Sequence, residues 1–178
     1  MDGADGGARP HSFFRLADPD GPTVFRDAIS RLKTANPHAA CVDVHDTDYY
    51  ANCDLYVTED GRAGFAITEG DELVSVYSMP GQHAGDAIVS KAVQAGARRL
   101  DCYDIAGGLP RLYARHGFTP IARVPWDDKY APDGWDYDHH GRPDVVAMAI
   151  TAPRDTTPYA DYDTAIRLAR QAARHQGA

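Results

Sequence analysis

Residues 72–118 read ELVSVYSMPGQHAGDAIVSKAVQAGARRLDCYDIAGGLPRLYARHGF, and their pattern decides the fold. Leu73, Val74, Val76 and Tyr77 make an apolar run that stops at the turn dipeptide Pro80-Gly81. A loop of small residues follows. Ala87, Ile88, Lys91, Ala92 and Ala95 then recur at helical spacing over 83–95, with Gly96 as the C-cap. Residues 99–104 form another short strand, and a short helix at 110–116 ends at Gly117. The order is strand, loop, helix, strand.

The loop is the chemically pointed part. A glycine there lets an anion approach the main chain, because no side chain blocks it. The helix it opens offers N–H groups without intrahelical partners and the positive end of its dipole. Gln82-His83-Ala84-Gly85-Asp86-Ala87 has the form Q/R-x-x-G-x-G/A, and Leu112-Tyr113-Ala114-Arg115-His116-Gly117-Phe118 has the form L-Y-x-x-x-G-F. In this order and spacing the two motifs resemble the GNAT superfamily of N-acetyltransferases, over 54–150.

The resemblance implies an α/β fold with a mixed, mostly antiparallel sheet flanked by helices. It implies acetyl-CoA, or another acyl-CoA, as co-substrate and a small amine as acceptor. Residues Gln82, His83, Ala84, Gly85, Asp86 and Ala87 would then cradle the pyrophosphate. Tyr113 would lie near the sulfur and protonate the leaving thiolate, against the alternative that it packs its helix onto the sheet. The strand at 99–104 would splay from its neighbour to admit the pantetheine arm. Asp104 would serve as base or bind a cationic acceptor, or else cap the following turn. Glu72 would relay a proton from the amine, and Glu69, His45 and Asp46 are further candidates. Asp86 departs from the pattern, since a carboxylate inside the cradle repels phosphate unless it points away. Arg111 and Arg115 would neutralise phosphates or form a solvated face.

Two other classes stay open on the same fold. One is a binding or regulatory module without CoA. The other is an enzyme of different chemistry (lyase, cyclase or CoA-independent acyl transfer) with Asp101, Asp104, Asp127 and Asp128 lining its cleft.

Outward from the motifs, 22–36 reads as a helix, with Pro22 in its first turn, Val24, Phe25, Ala28, Ile29 and Leu32 at helical spacing, and Asn36-Pro37 as its end. Residues 11–16 and 40–44 are expected as strands, and 46–53 as a turn of helix or a loop. Strands at 55–57, 63–68 and 72–78 form a meander turned at Asp60-Gly61 and 69–71. Strands at 118–124 and 144–150 flank 125–143, PWDDKYAPDGWDYDHHGRP, which has no periodicity and exceeds a plain hairpin loop. Trp126, Asp127, Tyr130 and Trp135 there mix aromatic faces with carboxylate, which suits a cationic amine; the alternatives are an ordered surface loop or a dimer contact. This segment also resembles small GNAT-like proteins of phages and actinobacteria. Adjacent His139 and His140 point different ways and have no third ligand at fixed spacing, so no metal is expected. Residues 1–10 are expected as a disordered tail, 11–150 as the domain, and 151–178 as a linker plus an amphipathic helix at 158–175. That helix is expected on the sheet or on a second copy of the chain, as a homodimer.

Composition sets outer limits. A chain of 178 residues suits one domain with a real core. No apolar run reaches the roughly 18 residues of a membrane span. The formal charge of −8 lacks a basic nucleic-acid footprint and suits a cationic substrate, a basic partner or plain solubility. Three cysteines in no metal spacing are expected in a reducing compartment, the cytoplasm by default.

Overall fold

A computed structural model describes residues 11–36 and 39–175. The tail expected at 1–10 lies outside the described residues, as does Pro37. The elements in chain order are β1 (Phe13–Arg15), α1 (Gly21–Ala35), α2 (Thr47–Ala51), β2 (Asp54–Thr58), β3 (Ala63–Thr68), β4 (Glu72–Ser78), α3 (Gly85–Gln94), β5 (Arg99–Tyr103), α4 (Gly108–Ala114), β6 (Phe118–Val124), α5 (Tyr137–His140), β7 (Val145–Ile150) and α6 (Tyr162–Arg174). They build a seven-stranded sheet of order β1-β2-β3-β4-β5-β7-β6. Every pairing is antiparallel except β4 with β5.

The helices form where the apolar spacing asks for them. Phe25, Ala28, Ile29 and Leu32 are the buried stripe of α1, and Pro22 sits in its first turn. Asp46 caps α2 by accepting the Tyr49 N–H at 2.8 Å, and Asp161 caps α6 by accepting that of Thr164 at 2.9 Å. The strand expected at 40–44 does not form: Ala39–Cys41 is a single 3-10 turn. Its Ala39 and Ala40 are buried beside α1, so the apolar run fills a corner of the core without entering the sheet.

One face of the sheet carries a continuous core. Phe65, Ile67, Leu73, Leu100, Cys102, Val146 and Met148 pack there against Ile88 and Val89 of α3 and Tyr113 of α4. The other face carries two separate patches. Leu55, Val57, Ala66 and Tyr77 lie under α1 and α2, while Ala122, Ala147 and Ala149 lie under Ala165, Ala169, Ala172 and Ala173 of α6. The small side chains on both sides of that second patch let α6 lie close on the sheet. Of the two places expected for this helix, its own sheet holds its alanine face. Tyr159 and Tyr162, expected on that face, are 65% and 50% exposed: Tyr159 precedes the Asp161 cap, and Tyr162 is the first residue of α6.

The parallel pair is the mechanical centre. Among the described residues β4 and β5 share one register pair, Glu72 with Arg99, and then part. Arg99 is 2% exposed and bonds three carboxylates: Glu69 at 2.6 Å, Asp71 at 3.0 Å and Glu72 at 2.8 Å. The Asp71 carbonyl also accepts from the Arg98 and Arg99 N–H groups. Arg170 of α6 reaches the same Glu69 carboxylate at 2.7 Å, so α6 is tied to the junction. Further along, β4 holds two residues, Ser75 and Val76, opposite Phe65 of β3. Ser75 takes φ +50°, which marks a bulge in β4 beyond the point where it leaves β5. Tyr50 of α2 props it, its hydroxyl 3.0 Å from Ser75 Oγ.

Replacing Arg99 with Met leaves three carboxylates around an empty centre. Arg99→Met is expected to lose about 3 kcal/mol of stability in urea unfolding. A loss near zero would mean that the strands hold their junction without the ion cluster.

Candidate functional site

The opening between β4 and β5 meets the loop 79–84 and the first turn of α3. Gly81 (φ +82°) and His83 (φ +49°) both take left-handed backbone, which folds the loop back toward the helix. The first helical bond is Ile88 N–H to the Ala84 carbonyl at 2.8 Å. The N–H groups of Gly85, Asp86 and Ala87 therefore precede the intrahelical ladder and are donors for an anion. His11 Nε2 lies 2.9 Å from the Gln82 carbonyl oxygen and brings the start of the described chain beside the loop. A cavity of about 400 Å³ adjoins this turn, lined among others by Ser12, Ala87, Ser90 and Lys91.

Two loop residues do other work than the motif suggests. A Cβ on Gly85 would stand 3.2 Å from Leu112 Cδ2, so the missing side chain lets α4 pack on α3. Ala84 is fully buried in the main core. Asp86 is exposed and turned to α4. Its Oδ2 is 3.0 Å from Arg115 Nη2 and its Oδ1 3.0 Å from His116 Nε2, and these bonds, His116 first, hold the carboxyl below its ordinary pKa. The charge that departs from the motif is thus compensated by the helix carrying the second motif. Arg111 bonds the Ala106 carbonyl at 3.0 Å.

The structure does not gather the expected catalytic residues at one point. Tyr113 is 5% exposed in the main core, with its ring 5.9 Å from that of Phe118. Burial pushes its phenol well above the usual range, and nearby Cys102 adds to this. Asp104 lies beyond β5, bonded to Arg123 of β6 at 2.8 Å. That ion pair, not a cap on the next turn, occupies its carboxylate. Glu72 is bonded to Arg99 at the closed end of the strand junction. Burial raises its pKa and Arg99 opposes the shift. Glu69 is shared by Arg99 and Arg170. Asp46 is a helix cap, and His45 stacks on Tyr49 with centroids 4.0 Å apart.

The insertion divides likewise. The rings of Trp126 and Trp135 lie 4.8 Å apart, tilted by 37°, and both approach Tyr103 of β5, at 6.0 and 5.0 Å. Asp127 instead caps the 3-10 turn Asp128–Tyr130, and Tyr130 is 72% exposed. The organiser is the next residue, Asp128, which accepts from Trp126 Nε1 at 2.7 Å, from the Tyr137 hydroxyl at 3.2 Å and from Arg142 Nε at 3.0 Å. Asp133 and Gly134 share a cavity of about 190 Å³ with Ala39 and Ala40, so the insertion reaches the segment before α2. Among the described residues no group of His, Cys, Asp and Glu has the arrangement of a metal site, and no helix is long and apolar enough to cross a membrane.

Of the carboxylates, the one most changed by its surroundings is Asp101 on β5. It lies on the interrupted face, and burial pushes its carboxyl up to about 6, with the charge of Glu72 adding to the shift. The period of two in 99–103 already places Arg99, Asp101 and Tyr103 opposite Leu100 and Cys102. What the sequence did not show is that neither apolar patch of this face includes Asp101.

No protein-family model and no curated protein sequence matches the chain. Solved structures do. The spermidine N-acetyltransferase of Vibrio cholerae, determined with CoA and spermine, is 12% identical, has a TM-score of 0.53, and aligns over 78% of this chain and 94% of its own. A Bacillus subtilis acetyltransferase, determined with CoA, is 14% identical, has a TM-score of 0.51, and aligns over 80% and 99%. The chain has the GNAT fold: a mixed, mostly antiparallel sheet flanked by helices, with a C-terminal helix.

The raised Asp101 sets a pH dependence of stability. The folded state holds this proton more tightly than the unfolded chain, so its contribution is complete below the ordinary carboxylate range and is lost as pH rises through about 6. Asp101→Asn should therefore be more stable than the parent at neutral pH, by up to about 3 kcal/mol, with the gain vanishing near pH 4. Urea midpoints measured across that range test this, and a gain independent of pH would refute the linkage.

Proposed function

We propose that the protein is an acyl-CoA-dependent N-acyltransferase, using acetyl-CoA and acting on a small amine. The observation that carries this reading is the opening between β4 and β5, which runs from the first turn of α3 to the Ser75 bulge. The fold supports it, since two structures of this fold were determined with CoA, one of them a spermidine N-acetyltransferase with spermine.

The residues fit such a co-substrate. The N–H groups of Gly85, Asp86 and Ala87 would bind the pyrophosphate, with Gln82 and His83 shaping the approach. The neutralised Asp86 removes the main objection and weighs against a module that has lost CoA. The bound thioester supplies the acyl group. Tyr113, beneath β5 on α4, would donate its hydroxyl proton toward the departing sulfur. Its raised pKa keeps it protonated, and hence a donor, at any working pH. The main-chain N–H groups at the Ser75 bulge would polarise the acyl carbonyl. Trp126 and Trp135 would wall the acceptor side, with positioning of the two substrates as the chief source of rate.

Calorimetric titration with acetyl-CoA is expected to give micromolar affinity. Ala87→Glu places a bulky carboxylate among the donor N–H groups of the first turn of α3 and should weaken it at least about tenfold. Absence of binding by the parent would overturn the proposal. Tyr113→Phe should lower thiol release at least about tenfold with affinity for acetyl-CoA unchanged. Full activity in that variant would remove the tyrosine from the chemistry.

A further inference from the structure

The face of the sheet opposite α3 and α4 has an apolar patch under α1 and α2, another under α6, and a polar seam between them. Asp101 stands in this seam. Its strand neighbours Leu100 and Cys102 turn into the core on the other side, so the alternation of β5 leaves Asp101 on the face across from α3 and α4. Four groups face it. Glu72 comes from the start of β4, Asp43 from the segment before α2, Arg99 from its own strand, and Tyr162 from α6, whose hydroxyl donates to Oδ2 at 3.4 Å.

The one cation among these is already committed. Arg99 bonds Glu69, Asp71 and Glu72, and among the described residues no ion pair engages Asp101. Of the carboxylates expected as bases, Glu72 and Glu69 are held by Arg99 and Asp104 by Arg123, while Asp46 caps α2. Asp101 is the half-buried carboxylate beside the parted strands that lacks such a counter-ion. Tyr103, two residues on, turns the same way and meets Trp126 and Trp135 of the insertion. The seam is thus walled by aromatic rings on the insertion side and by Tyr162 on the α6 side.

We propose that Asp101 is the proton acceptor for the incoming amine and that Tyr162 positions its carboxylate; this rests on the acyltransferase reading above. An alkylammonium entering the seam meets Asp101, Glu72 and Asp43 and, among the described residues, no uncommitted cation. Asp101 takes one proton from it. The freed lone pair forms the bond to the acyl carbon as the carbon–sulfur pair leaves with sulfur. Tyr113 gives its proton to the thiolate and is restored by the nitrogen's second proton, and the Asp101 proton goes to solvent. Burial, which makes the carboxylate a stronger base, places its titration near the operating range such a step needs.

The test uses the full chain with acetyl-CoA and spermidine, following thiol release between about pH 5 and 8. The parent rate should rise through pH of about 6. Asp101→Asn should lose about 100-fold or more in kcat and lose that rise, while calorimetric affinity for acetyl-CoA stays within about twofold. Asp101→Glu should recover part of the rate. Tyr162→Phe removes a donor to the charged form, so the acid limb should move to higher pH. An Asp101→Asn variant with the parent's rate and profile would sink the assignment and leave the acyltransferase reading standing. A parent that does not bind acetyl-CoA would sink both. Should the parent bind acetyl-CoA without acylating spermidine, the carboxyl carbon resonance missing from Asp101→Asn decides. Titration near pH 6 that moves when acetyl-CoA is added supports the proposal. An ordinary titration, or one indifferent to acetyl-CoA, overturns it.

Discussion

Arg99 is a buried cation surrounded by three carboxylates, and the architecture follows from where it sits. It lies at the one place where β4 and β5 pair. A buried guanidinium is tolerable only when its charge and its donors are met, so Glu69, Asp71 and Glu72 must converge on it. That convergence fixes the start of both strands and leaves their far ends free to part. The Ser75 bulge lies beyond this point, in the part of β4 that no longer pairs with β5. The Arg170 bond to Glu69 brings α6 to the same point, so the C-terminal helix and the strand junction are set by one electrostatic cluster.

A parted sheet exposes both edges of the gap, and the surrounding elements decide what each side offers. On the α3 side it offers main-chain donors, with the Asp86 charge neutralised by Arg115 and His116. On the other side α1 and α2 cover β2 to β4 while α6 covers β6 and β7. Neither patch reaches Asp101. The result is a seam with carboxylates and aromatic rings, suited to a cation, behind a gap suited to an extended anionic co-substrate. The insertion between β6 and β7 bounds this seam. Its fold is organised by Asp128, which gathers Trp126, Tyr137 and Arg142.

The roles of individual residues moved most between sequence and structure. Gly85 reads as an opening for a phosphate, yet its absent side chain makes room for Leu112. Glu72 and Asp104 read as bases, yet each is bound by an arginine distant in sequence. Asp127 and Tyr130 read as substrate contacts, yet one is a cap and the other points outward. A carboxylate's availability depends on what sits beside it, and those neighbours came from other strands.

The sequence by itself determined the element order, the antiparallel meander, the loop that opens α3, and most helix and strand bounds, because these rest on local periodicity, turn residues and caps. It also placed Arg99, Asp101 and Tyr103 on one side of β5 by alternation. Tertiary structure alone decided that 40–44 packs as a corner and not as a strand, that Asp86 turns toward the end of α4, that α6 lies on the sheet, and that Asp101, unlike Glu72 and Asp104, forms no ion pair with an arginine among the described residues. Each of these depends on contacts between residues far apart in the chain, and electrostatic compensation of that kind has no period for a sequence to display.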